Sequence, residues 1–199
     1  MRYAKSHKQE TKDRVLKIAA KALRENGPNE LGVADVMRAA GLTHGGFYAH
    51  FASKDELLAE SLSETFSQLA VRVDQIAAGL PPREALVAYI DFYVSRSHRD
   101  HPGRGCPLVA LNSDLTRQTD EFREAFDTGI EGVVDRLTQW MTAIGLQQPR
   151  KVAISTLSSM FGAVALSRAV SEPQLSDDLL ETARADIKSR LGLDRKTPH

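Results

Sequence analysis

Between Val33 and Phe51, two apolar stripes at helical spacing are separated by only three residues, Gly41-Leu42-Thr43. Val33, Val36, Met37 and Ala40 mark one face of a short helix. Gly41 supplies the left-handed residue that ends it, and Leu42 the apolar residue that often follows. Thr43 can cap a further helix from His44 to about Phe51. A short glycine-containing connection of this kind is the turn of a helix-turn-helix, in which the second helix enters the DNA major groove.

That second helix contains Gly45 and Gly46, although each glycine costs a helix about 1 kcal/mol relative to alanine. Stepping 100° per residue, Phe47 and Phe51 define the inner side, and Gly45, Gly46 and Ala49 fall opposite. A face without side chains lets the backbone come closer to another surface. Thr43, His44, Tyr48 and His50 surround it with groups able to donate to phosphate, and Lys54 adds a charge at the start of the next helix. Glycines make no side-chain hydrogen bonds to bases, so specificity would rest on His44 and Thr43, on apolar contact from Ala49, or on DNA shape. A second reading is a glycine-rich turn in an unrelated helical bundle with a solvated rim.

The rest of the chain reads as helix, with no sustained period-two alternation, so the fold is expected to be all-α. A first helix spans about 11–26 and stops at Gly27-Pro28. The capping box "SKDE" at Ser53 opens a long helix to about residue 78. Others are expected at about 83–97, after Cys106-Pro107, and at 119–144, 149–170 and 176–191, with a frayed tail after Gly192. Residues 1–24 hold eight Lys/Arg against Glu10 and Asp13, a surplus of 8 − 2 = +6 in a chain of zero net charge. Such a basic end fits a polyanionic partner, or a solvated helix face. The single cysteine excludes an intrachain disulfide and fits a reducing compartment. The longest uncharged run, 152–167, falls short of the roughly 20 residues of a bilayer span, so no membrane helix is expected. No secretion signal is evident, and a cytoplasmic location is expected.

Enzyme signatures are missing: "GLTHGGF" lacks the Gly-Lys-Ser/Thr of a P-loop, and no nucleophile elbow or HExxH occurs. His98, Asp100 and His101 form a charged loop cluster more consistent with solvation than with a metal, so no metal or cofactor is expected.

The segments "VLKIAAKALRENG" and "VADVMRAAGLTHGGFYAHFASKDELLAE" resemble the DNA-binding domain of the tetracycline-repressor family of bacterial transcription regulators, over about residues 10–60. Gly32 replaces a common Ser/Thr cap, and Leu23 a common Phe. The resemblance implies a homodimeric, all-helical repressor of about nine helices, bound to a palindromic operator in double-stranded DNA and released by a small-molecule effector. DNA contacts are carried onto Thr43, His44, Tyr48 and Lys54, beside Gly45, Gly46 and His50. The expected division is a DNA-binding domain at 1–53, a ligand-binding and dimerisation domain at 54–192 with 54–79 as connecting helix, and a tail at 193–199. "FGAVALSRAVSEPQLSDDLLETAR" is similar to the closing helices of one branch, where the 149–170 helix and the last helix would pair with their copies. A buried central helix of a monomer is the other reading.

Phe66, Phe92, Tyr93, Phe122, Phe126 and Trp140 are candidates to line a ligand cavity, although aromatics at helical spacing also serve as plain core. Cys106, before Pro107 and near Arg99, Arg104, His98 and His101, reads either as a thiol of lowered pKa that senses oxidants or electrophiles, or as a small buried residue. The competing functional class is a helical binding or scaffold protein that keeps the helix-turn-helix shape without holding DNA.

Overall fold

The computed structural model describes residues 2–111 and 114–194. Among them the chain forms nine α-helices, three 3-10 helices and no strand, in agreement with the all-α expectation. Helix α1 (Arg2–Glu30) is broken at Gly27, where φ is 82°, so the expected stop at Gly27-Pro28 is a kink followed by one more turn. Next come α2 (Val33–Ala39), a 3-10 helix (His44–Ala49) and α3 (Lys54–Ala77). The remainder consists of α4 (Pro82–Tyr93), α5 (Arg96–Asp100), α6 (Pro107–Leu111), α7 (Asp120–Ala143), α8 (Pro149–Ala169) and α9 (Pro173–Arg190), with 3-10 turns at Pro102–Arg104 and Leu115–Arg117.

The punctuation follows local chemistry. Gly41 has φ 72°, and the Leu42 and Gly41 amides donate to Met37 and Arg38 carbonyls at 2.9 and 3.0 Å, closing α2. Ser53 Oγ accepts from the Glu56 amide at 3.0 Å, while the Glu56 carboxylate reaches back to the Ala52 amide rather than to Ser53 itself. The single helix expected at 83–97 is divided. Ser95 Oγ donates to the Phe92 carbonyl at 2.8 Å and accepts from the His98 amide at 3.1 Å, ending α4 and starting α5. The supposed tail begins later than expected: Leu193 is buried, and its amide donates to the Lys188 carbonyl at 2.8 Å. Residues 195–199 of that tail lie outside the described residues.

Two apolar clusters fill the molecule. The N-terminal one gathers Val15, Ala19, Leu23, Met37, Phe47 and Phe51, but it also takes Leu57, Leu58 and Leu62 of α3, Leu111 of α6 and Phe122 of α7. The C-terminal one is built on Tyr89, Ile90, Tyr93, Leu137, Met160, Val164 and Ile187. A polar seam joins them. Buried Arg24 of α1 donates from Nε to the Gly103 carbonyl at 2.9 Å and from Nη2 to Gln68 Oε1 at 3.0 Å. The exposed Glu25 carboxylate lies where a Cβ on Gly103 would point.

Helix α8 is long and apolar enough to cross a membrane by length and composition. The uncharged run underestimated it, because the helix continues through the flanking Lys151 and Arg168. Ala153, Thr156, Leu157, Met160, Ala163, Val164 and Ser167 bury one side in the C-terminal cluster. Ile154 and Leu166 remain 46% and 56% exposed on the other, so within one chain the helix is covered on one side only.

Candidate nucleic-acid interface and body cavity

The segment after the tight turn winds as a 3-10 helix, not the α-helix expected. Gly46 and His50 amides donate to Thr43 and Phe47 carbonyls at 3.1 and 2.9 Å. Two consecutive glycines weaken the α form, and a short piece of 3-10 helix is the tighter alternative. The winding changes which residues face outward, since positions three apart now eclipse. Gly46 turns inward, where an added Cβ would lie 3.7 Å from Thr43 Oγ1 and 3.8 Å from Met37 Cε. Gly45 has nothing within 4 Å of its Cβ direction. Tyr48, three residues on from Gly45, is 71% exposed, and Ala49 is exposed beside it in the chain. The outer face is therefore a cleared patch carrying one tall tyrosine.

Phe47 and Phe51 hold this segment down, their rings stacked with centroids 5.5 Å apart. Lys12 of α1 adds an ammonium 5.1 Å over the Phe51 ring and pairs with Glu60 at 2.7 Å. Thr43 has the extended backbone of a cap residue, but its side chain makes no cap hydrogen bond, which leaves the hydroxyl exposed. His44 and Lys54 are also exposed. His50 is half-buried, with Nδ1 buried and unpartnered. Burial, and then the charges of Lys8 and Lys12, hold its imidazole below the ordinary pKa. Thr43, His44, Gly45, Tyr48 and Lys54 thus share the exposed rim, whereas Gly46 and His50 are partly turned in.

The six aromatic candidates in the body separate into three groups. Phe66 lines a cavity of about 330 Å³ between α3, α4 and α7, together with Tyr89, Ala70, Ala125, Gly129 and Gly132. Phe126 backs it edge-on to Phe66 at 5.8 Å, and Trp140 lies 5.8 Å from Tyr89. Phe92 and Tyr93 instead pack on the His98 ring at 6.0 and 4.7 Å, and Phe122 is buried in the N-terminal cluster. Sequence reasoning missed Tyr89, Gly129 and Gly132. The available signal was a small-residue stripe, Ala125, Gly129 and Gly132, at helical spacing. Its physical use is close approach: a Cβ on Gly129 would meet the Phe66 ring at 2.1 Å.

Cys106 departs from the lowered-pKa expectation. It is 1% exposed, and burial pushes its thiol up despite neighbouring Tyr93, the amides of Leu108 and Val109, and Arg168. Its own amide donates to His98 Nε2 at 2.9 Å, which makes His98 Nδ1 the protonated nitrogen facing the Tyr93 carbonyl at 2.7 Å. Burial lowers the His98 pKa to about 4. The sequence cluster His98-Asp100-His101 is consequently dispersed: His98 is interior, Asp100 accepts from Arg99 at 2.7 Å, and His101 is exposed against the Ser97 carbonyl.

The family described as bacterial regulatory proteins, tetR family, matches residues 15–61, and that described as transcriptional regulator LmrA/YxaF-like, C-terminal domain, matches residues 82–182. An uncharacterised HTH-type transcriptional regulator of Mycobacterium tuberculosis is 26% identical over 165 residues, covering 79% of this chain and 84% of its own. The HTH-type transcriptional repressor NemR of Escherichia coli is 21% identical over 132 residues, 65% of this chain and 66% of its own. The crystal structure of its reduced form superposes with a TM-score of 0.78 at 20% identity, covering 90% of this chain and 96% of that one. A TetR transcriptional regulator from Chloroflexus aurantiacus gives 0.76 at 24% identity, over 94% and 96%.

Proposed function

The chain belongs to the tetR family of bacterial regulatory proteins, and on that premise we propose that it is a homodimeric repressor, released from a palindromic operator when a small molecule fills the cavity beside Phe66. The observation that carries the reading is the cleared outer face of the 3-10 helix. Gly45 leaves it open, Tyr48 stands proud of it, and Phe47 and Phe51 fix it from behind. Thr43, His44, Tyr48 and Lys54 donate to phosphates, positioning the segment in a major groove. Gly45 and Ala49 admit the base edges, and DNA shape supplies part of the specificity.

The uncovered side of α8, with Ile154 and Leu166, together with exposed Leu175 on α9, is the surface for a second copy. Ser158 and Ser159 donate to the Ile154 and Ser155 carbonyls of their own helix, so this side can be buried without orphaning either hydroxyl's donor. A two-fold dimer then offers two recognition segments to half-sites about one DNA turn apart. The division of labour follows 1–53 and 54–192, with the first turns of α3 shared by both units. A regulator of this kind works in the cytoplasm, where its DNA is.

Release by thiol modification is the second reading, and burial of Cys106 makes that route slow in this conformation. Alkylation of the native protein by iodoacetamide is expected to run far below the rate of free cysteine, and a rate equal to it would revive the sensor. The primary test is selection of bound fragments from a random DNA pool at two salt concentrations. Enrichment of a palindrome whose binding weakens steeply with salt supports the regulator. Salt-insensitive binding, or none, would transfer the function to a helical scaffold that no longer holds DNA.

A further inference from the structure

The cavity between α3, α4 and α7 is lined by an uneven set of chemical groups. Its buried walls are apolar, with Phe66, Leu69 and Val73 from α3 and Tyr89 from α4. The Tyr89 hydroxyl is shut off from solvent, so this residue offers the cavity its ring. Polar groups are few. Ser63 and Thr128 donate to the Ala59 and Glu124 carbonyls of their own helices at 3.2 and 2.9 Å, which leaves them lone pairs to offer. Ser67 adds a hydroxyl, and the one formal charge in the lining is Arg136. No carboxylate lines the cavity among the described residues. A cationic guest would therefore meet a like charge with nothing to balance it. An anion would meet a guanidinium, whose fork of donors matches a carboxylate.

Arg136 is held from two sides. It pairs with Asp74 of α3, and its guanidinium carbon lies 5.8 Å from the centroid of the Trp140 ring. The Asp74 hold is easily exchanged, because the two side chains are 37% and 57% exposed and water screens such a pair. Trp140, one turn along α7, keeps the guanidinium in place when Asp74 lets go.

Resting on the reading of this cavity as the effector site, we propose that the effector is an apolar, ring-bearing carboxylic acid whose carboxylate takes Arg136 from Asp74 while its rings lie against Phe66 and Tyr89. Rings in offset or edge contact with those two side chains add to what apolar burial supplies. The exchange undoes a tie between α7 and the far end of α3, the helix that begins at Lys54 beside the recognition segment. One ion pair then connects occupancy of the cavity to the helix leading to DNA.

The test is isothermal titration calorimetry of the full-length protein with 2-naphthoate and its neutral isostere 2-naphthamide near neutral pH. The wild type should bind naphthoate tighter by about tenfold or more. Arg136→Gln should remove that preference and leave naphthamide binding unchanged, which also shows that the variant is folded. Asp74→Asn should tighten naphthoate about two- to fivefold, because the competing carboxylate is gone, and leave naphthamide where it was. Gly132→Leu, which adds a side chain to the lining, should weaken both probes. Equal affinity of the two probes for the wild type, or a naphthoate preference that survives Arg136→Gln, overturns the acid assignment and leaves the cavity as the effector site. No gain in Asp74→Asn overturns the exchange. Naphthoate binding indifferent to Gly132→Leu puts the probe elsewhere and overturns the proposal as well. If neither probe binds, the cavity admits no guest of this kind, and the effector reading fails together with the proposal.

Discussion

Gly45 beside the tight turn and Gly129 in α7 are both glycines within helical segments, and they do opposite things. Gly45 faces open space, so its missing side chain is an opening toward something outside the chain. Gly129 faces the Phe66 ring, so its missing side chain is already occupied from within. The first spends helix propensity on access and the second on contact between α3 and α7. Sequence pattern alone does not separate them; what stands opposite does.

The largest expected effect breaks the first half of this contrast. Gly45→Glu should weaken operator binding by about 3 kcal/mol or more, through steric block and phosphate repulsion, with thermal stability unchanged; undiminished affinity would end the docking picture. Gly129→Ala should cost about 1–3 kcal/mol in urea unfolding, because the Phe66 ring must move, whereas Gly45→Ala should cost nothing. Equal behaviour of the two alanine variants would erase the distinction.

A comparable magnitude applies to His98, interior where His50 is half-exposed. Its folded pKa, about 4, lies below the ordinary 6.5, so it contributes stability above pH 6.5 that is lost progressively as pH falls toward 4. Unfolding free energy should drop by about 2 kcal/mol from this group between pH 7 and 5. The His98→Gln variant should lose that part of the pH slope. The smallest effect belongs to Gly132, which, like Gly45, has nothing near its Cβ direction but lines the cavity. Gly132→Ala should add up to about 1 kcal/mol of stability through helix propensity while narrowing the cavity; a destabilised variant would mean that the glycine is needed for packing.

Much of the fold was legible because its signals are local. Gly41-Leu42 closes α2, Ser53 caps α3 and Gly27-Pro28 interrupts α1, each through atoms within a few residues. The break at Val94 was not legible, since the Ser95 cap competes with an apolar stripe that runs through it. The 3-10 winding was hidden for a related reason: a pattern read at 100° assumes the geometry it is used to find. In the body, Phe66, Phe92 and Phe122 look alike in sequence, and only the long-range placement of α7 and α5 sends them to the cavity, to His98 and to the N-terminal cluster. The interior position of Cys106 likewise depends on His98, Tyr93 and Arg168, which meet only in three dimensions.

The hold of buried Arg24 on the Gly103 carbonyl bears on how such proteins can be recombined. A chimera cut at residue 53 would join a foreign α1 to this loop without the residues that fit it. A side chain at Gly103 would push the exposed Glu25 carboxylate aside, whereas a replacement for Arg24 without its guanidinium would leave a buried carbonyl without this donor. A working graft must therefore carry residues 24 and 103 as one inherited set, although 79 positions separate Arg24 from Gly103 in the chain.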